Sequence, residues 1–202
     1  MKRRSALDAA ALPDQGFVHH APIWWGSTLM MLIEVAGFAI LVATYFYIWR
    51  NFDTWPPTRT LLPDLGVSTI NLLVLLTSIL PMRWAARLAL RHGNPKVLGF
   101  WLLLCVLFGI TAAVLRVLEF KGVHTRYDSN AYGAIVWSIL AVHFAHIIAA
   151  TIETFVIGIL MFLGPVEEKH FVDVAANAAY WYFVVFSWVV LYVIVFLAPR
   201  IM

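Results

Sequence analysis

The sequence predicts an all-α integral membrane protein, a bundle of five transmembrane helices, on three observations. Of its 202 residues, 62% are hydrophobic and only 12% are charged. A soluble domain runs at about 45–50% apolar and about 25% charged. The apolar residues also gather into runs of about 20 or more, the length needed to cross a bilayer. Finally, the breaks between runs carry Pro, Gly and Asn, the residues that end helices. Lipid must cover apolar surface that a core of this size cannot hold.

Five runs qualify, at about 23–49, 66–90, 97–118, 131–163 and 175–198. The first follows "MKRRSALDAAALPDQGFVHHAP". It exceeds the roughly 7–15 apolar residues of a signal peptide and has no small-residue cleavage site after it, so it reads as an anchor. Residues 1–22 read as an N-terminal cytoplasmic tail. The linkers "NFDTWPPTRTLLPD", "RHGNPK", "EFKGVHTRYDSN" and "LGPVEEKHFVD" are too short for another domain, leaving one membrane domain over 23–202.

The second run divides at Pro81. Residues 66–80 are almost wholly apolar, whereas Arg83, Arg87 and Arg91 follow at four-residue spacing and share one helical face. Two readings stand: they snorkel to headgroups, or they dock an anionic lipid or a partner subunit. The basic tail (Lys2, Arg3, Arg4), this cluster, Lys96 and Lys169 fall on one side. Arg50, Arg59, Arg116, Lys121, Arg126 and Arg200 fall on the other. The basic flank of the first helix places the N-terminus in the cytoplasm and the C-terminus outside. A net charge of +3, spread over segment ends, argues against nucleic-acid binding. The single cysteine, Cys105, has no intrachain partner and reads as a small buried hydrophobe.

Ionisable groups at membrane depth cost on the order of 2.5–3.5 kcal/mol each and normally face protein or a water cavity. Glu34 sits inside the first run with no basic residue nearby, which points to a polar contact or proton-linked work. His143, His146 and Glu153 lie in the fourth run within roughly 80° of arc. Glu153 is about 10 Å along the axis from His146, too far to share one coordination sphere with both histidines. The histidines read either as a pair hydrogen-bonding to neighbouring helices or as two ligands of a metal completed by another helix. Arg116 and Glu119, three apart, read as a local ion pair near the outer surface.

These residues also carry a resemblance. From about Trp25 to the C-terminus the chain resembles subunit III of the heme-copper terminal oxidases. Glu34 falls where the family keeps a glutamate early in a helix. "INLLVLLTS" (70–78) is similar to its Leu-Asn segment, with Asn71 as the polar residue. "VLRVLEF" (114–120) is similar to its Gln-x-x-Glu-Tyr, with Arg116 replacing the Gln and Glu119 matching the Glu. "HFAHIIA" (143–149) resembles His-x-x-His-Val, and "YWYFVVFSWVVLYV" (180–193) resembles the terminal helix. Tyr182 and Val185 depart from the family's His and Asp there. The five spans resemble the shorter bacterial forms.

The resemblance implies an accessory, non-catalytic subunit of an aerobic respiratory oxidoreductase complex in the bacterial cytoplasmic membrane. It implies that this chain holds no heme, copper or other cofactor, the heme and copper belonging to the catalytic subunit I on which it packs with the other oxidase subunits. Support of proton uptake, stability and binding of phospholipid are implied as well. Arg83, Arg87, Arg91 and Trp181 are the expected lipid or partner contacts. Glu34, Asn71, Glu119, His143, His146 and Glu153 are the expected intramembrane polar positions. Two alternatives stay open: an accessory subunit of a nitric oxide reductase, and a membrane enzyme or carrier with a metal or proton site at His143, His146 and Glu34.

Overall fold

The computed structural model describes residues 22–57 and 60–201. The expected tail, with Lys2, Arg3 and Arg4, and the loop residue Arg59 lie outside the described residues, apart from Pro22. Five helices follow one another: α1 (Pro22–Trp49), α2 (Leu65–Leu90), α3 (Pro95–Lys121), α4 (Ala131–Leu163) and α5 (Glu168–Tyr192). All five are long and apolar enough to cross a membrane, and the described residues contain no strand. The fold is an all-α membrane bundle, and the protein is multi-pass.

Local chemistry sets the ends. Asn94 caps α3, its Oδ1 accepting from the Lys96 N–H at 3.0 Å, and Pro95 supplies a first position that needs no amide. Asn130 caps α4 through the Gly133 N–H at 2.7 Å. α5 begins at Glu168, seven residues before the apolar run at 175. There the Glu167 N–H donates to His170 Nδ1 at 2.9 Å, so a polar cap starts a helix that hydrophobicity alone places later. Past Tyr192 the chain tightens through a π turn (Val193–Leu197) and a short 3-10 turn (Ala198–Arg200). Arg200 Nη2 there donates to the Pro63 carbonyl at 2.5 Å, tying the C-terminus to the α1–α2 linker.

α2, α3, α4 and α5 form a closed ring in which α3 touches α2 and α4, and α5 touches α2 and α4. α1 lies outside it against α4 and α5, with only Phe38 and Tyr45 buried. Trp55, in the α1–α2 linker, fastens α1 at one end by donating to the Tyr45 hydroxyl at 2.8 Å and packing edge-on to Tyr132. Large apolar side chains such as Ile33, Leu73, Leu107 and Ile152 remain exposed on the helix exteriors, as lipid contact requires.

Lipid supplies no hydrophobic drive between helices, so close packing must do so. α3 and α4 meet over small residues: a Cβ at Gly99 would lie 2.7 Å from the Phe162 ring, and one at Gly109 would fall inside the Thr151 side chain. Gly109→Ala should therefore lower resistance of the purified chain to SDS unfolding by about 1–3 kcal/mol. Adding Thr151→Ala should recover most of that loss. Full stability in Gly109→Ala would contradict this packing.

Candidate functional site

At the centre of the ring, four helices each contribute to one buried polar chain. Asn71 of α2 donates through Nδ2 to Glu119 Oε1 at 2.9 Å. Glu119 Oε2 accepts from Arg116 Nη1 at 2.5 Å, both on α3 and both fully buried as side chains. Arg116 Nη2 meets His143 Nδ1 of α4 at 2.9 Å, and His143 Nε2 meets the Val184 carbonyl of α5, also at 2.9 Å. Trp188 of α5 backs the chain. The Arg116 guanidinium carbon lies 3.4 Å from the centre of its ring, and His143 stacks on it at 4.9 Å.

The partners fix the histidine's tautomer. A guanidinium has only donors, so Nδ1 of His143 must accept; a carbonyl only accepts, so Nε2 must carry the proton. His143 is thus the neutral Nε2–H tautomer with both nitrogens engaged, and no lone pair is left for a metal. His146 departs from it despite sharing the helix face. Its Nδ1 donates to its own helix at Val142 (2.6 Å), while Nε2 points to Glu34 Oε2 of α1 at 3.7 Å. The two rings therefore serve different neighbours, which removes the geometry that a shared metal would need. Among the described residues no group of three or more His, Cys, Asp or Glu gathers.

Glu34 forms the second cluster. Tyr180 of α5 donates to its Oε1 at 3.4 Å, and Phe38 packs between this cluster and the first, 5.0 Å from His146 and 6.2 Å from His143 between ring centres. The polar contact expected for Glu34 thus joins α1 to α4 and α5. Glu153 is exposed at the surface of α4 and joins neither cluster.

Other placements differ from expectation. Arg116 and Glu119 form the local ion pair near the end of α3, but Arg116 is completely buried and the pair extends to both neighbouring helices. Trp181, grouped with lipid or partner contacts, is buried and donates to Ser78 Oγ of α2 at 2.9 Å. Its position on the ring-facing side of α5 turns it to protein. Arg83, Arg87 and Arg91 are exposed. Sequence reasoning missed further ties: Thr154 Oγ1 donates to Asn177 Oδ1 at 3.0 Å, and Thr69 and Tyr192 hydroxyls meet at 2.7 Å. The available signal was a lone Asn, Ser or Thr within an apolar run, which costs little and so stands out little.

The arrangement holds charge and fixes helix positions. Both clusters tie helices together by directional contacts, while Glu34 Oε2, Asn71 Oδ1, Arg116 Nε and Trp188 Nε1 are buried with no hydrogen-bond partner among the described residues. Asn71→Leu, which strips a donor from a buried carboxylate, should cost about 1.5–3 kcal/mol in SDS unfolding while helix content holds. Thr77→Val, removing a bond confined to its own helix, should cost far less. Equal small effects for both would deny the central chain its role.

A family model described as cytochrome c oxidase subunit III matches residues 9–199. Among curated relatives, cytochrome c oxidase subunit 3 of Triticum aestivum is 29% identical over 184 residues, covering 85% of this chain and 67% of the relative. That of Marchantia polymorpha is 27% identical over 186 residues, covering 89% and 70%. The human protein of the same name is 25% identical over 188 residues, covering 88% and 72%. With a match spanning nearly the whole sequence, the chain belongs to the cytochrome c oxidase subunit III family.

Proposed function

We propose that this chain is the accessory, non-redox subunit of an aerobic respiratory heme-copper oxidase. It packs on the catalytic subunit that holds heme and copper, carries no cofactor of its own, and supports proton uptake, phospholipid retention and the working lifetime of the complex. The observation that supports this reading is the engagement of His143, which spends both ring nitrogens on Arg116 of α3 and the Val184 carbonyl of α5. A chain so arranged is built to hold its helices in place beside a reacting partner. The relatives' shared name favours an oxidase over a nitric oxide reductase.

The proposal includes a bacterial cytoplasmic membrane, a cytoplasmic tail over residues 1–22 and one membrane domain thereafter. Exposed Arg83, Arg87, Arg91, Lys96 and Lys169 at one end support a cytoplasmic assignment for that end. Burial of Arg116 removes it from the opposing count and strengthens the asymmetry. Reporter fusions in the Arg91–Lys96 link should report cytoplasm and fusions after Met202 the outside; the reverse pair would overturn the orientation.

Purification through a tag on this chain should bring down a heme-containing partner that reduces oxygen. A partner reducing nitric oxide instead, or a chain that purifies with neither heme nor partner, would reject the reading. In the purified complex, Glu34→Ala should leave initial oxygen reduction near wild type, because the reacting groups lie in the partner. Proton coupling should weaken, or activity should decay sooner during sustained turnover. Loss of heme or of the first turnovers would show that Glu34 serves the redox centre itself.

A further inference from the structure

The geometry points to a binding site for one acidic phospholipid at the end of the bundle where α2 passes into α3, with the Arg83–Arg87–Arg91 ladder gripping its phosphate headgroup. The ladder climbs one face of α2, and Arg83 lies about 12 Å deeper along the axis than Arg91. All three arginines are exposed, as is Lys96 at the start of α3. Among the described residues none of the four pairs with a carboxylate. The acids at this end lie elsewhere: Glu167 is bound to Lys169 at 2.5 Å, and Glu168 and Asp173 follow on α5. A row of cations entering the span with no carboxylate partner among the described residues calls for an anion from outside.

The surroundings say what kind. Trp84, Arg87, Leu88 and Arg91 line a concavity of about 470 Å³, within the roughly 300–1,000 Å³ of small-ligand sites. Trp84 carries Arg87 over its ring at 5.8 Å and stacks on Trp101 of α3 at 6.1 Å. Paired indoles of this kind mark the level where headgroups meet acyl chains. Leu80, Leu90, Val97 and Phe100, all exposed, supply apolar surface above and below the charges. A phosphate between arginines with a greasy wall alongside fits a molecule that is both anionic and hydrocarbon. Free phosphate satisfies only the first half of that description.

This inference deepens the phospholipid role proposed above, but it needs only the membrane span. Failure to capture a heme partner would sink the oxidase reading and leave this test standing. The full chain in neutral detergent is incubated with equal amounts of phosphatidylglycerol and phosphatidylcholine and examined by native mass spectrometry. Wild type should retain phosphatidylglycerol about tenfold or more over phosphatidylcholine. The triple variant R83Q/R87Q/R91Q should lose the preference, and R83K/R87K/R91K should keep most of it. An unchanged circular dichroism melt, or graded loss across the single Arg→Gln variants, separates lost binding from lost folding. No preference in wild type, or a preference that survives the triple Gln change, overturns the site. So does displacement of the lipid by excess inorganic phosphate, which would make it a phosphate site. If R83Q/R87Q/R91Q keeps the preference and loses co-purifying subunits, the ladder is a protein interface and the proposal is wrong.

Discussion

A guanidinium fully buried in an apolar helix bundle depends on partners within the protein, and Arg116 is the constraint on which the rest of this bundle depends. Lipid offers it nothing. Its solution is a line of contacts that runs Asn71, Glu119, Arg116, His143 and Val184, passing through α2, α3, α4 and α5 in turn. Each contact is directional, so the line fixes the rotation and axial position of each helix relative to the next. Apolar packing alone would tolerate sliding by a turn; a donor that must meet an acceptor within about 3 Å does not. The charge itself is balanced within α3, since Glu119 stands one turn along from Arg116.

Helix α1 shows what happens outside that ring. It buries little of itself and reaches the others through Glu34, Phe38 and Tyr45. Glu34 and His146 are 3.7 Å apart, longer than a hydrogen bond, and the Tyr180 contact at 3.4 Å is also long. The ring is therefore tightly latched and α1 loosely so. The bundle thus combines a rigid body with one helix whose polar contacts leave room to adjust.

Much of this was legible in the sequence because membranes simplify folding. Apolar length alone found the five spans, and the expense of intramembrane charge singled out Glu34, Glu119, His143 and His146. Grouping them was harder. Helical periodicity put His143, His146 and Glu153 on one face, yet one ring turns inward to Arg116, the next turns to α1, and Glu153 lies in the open. A face some 80° wide spans a core, a groove and an exterior once neighbouring helices are in place. Arg116 was misjudged for a related reason. Near a helix end it looked like a flank, and only the opposed Asn71 and His143 reveal that it points inward. The early start of α5 was hidden because a cap, not an apolar residue, begins it.

The central claim is that Arg116 and Glu119 stabilise the bundle as a pair whose halves cannot be separated. A double-mutant cycle of Arg116→Met and Glu119→Leu, read by SDS unfolding of the purified chain, tests it most directly. Glu119→Leu alone should cost about 3–5 kcal/mol, because it strands a buried cation, whereas the double variant should lose much less than the sum of the singles. Additive losses, or a Glu119→Leu chain as stable as wild type, would contradict the account.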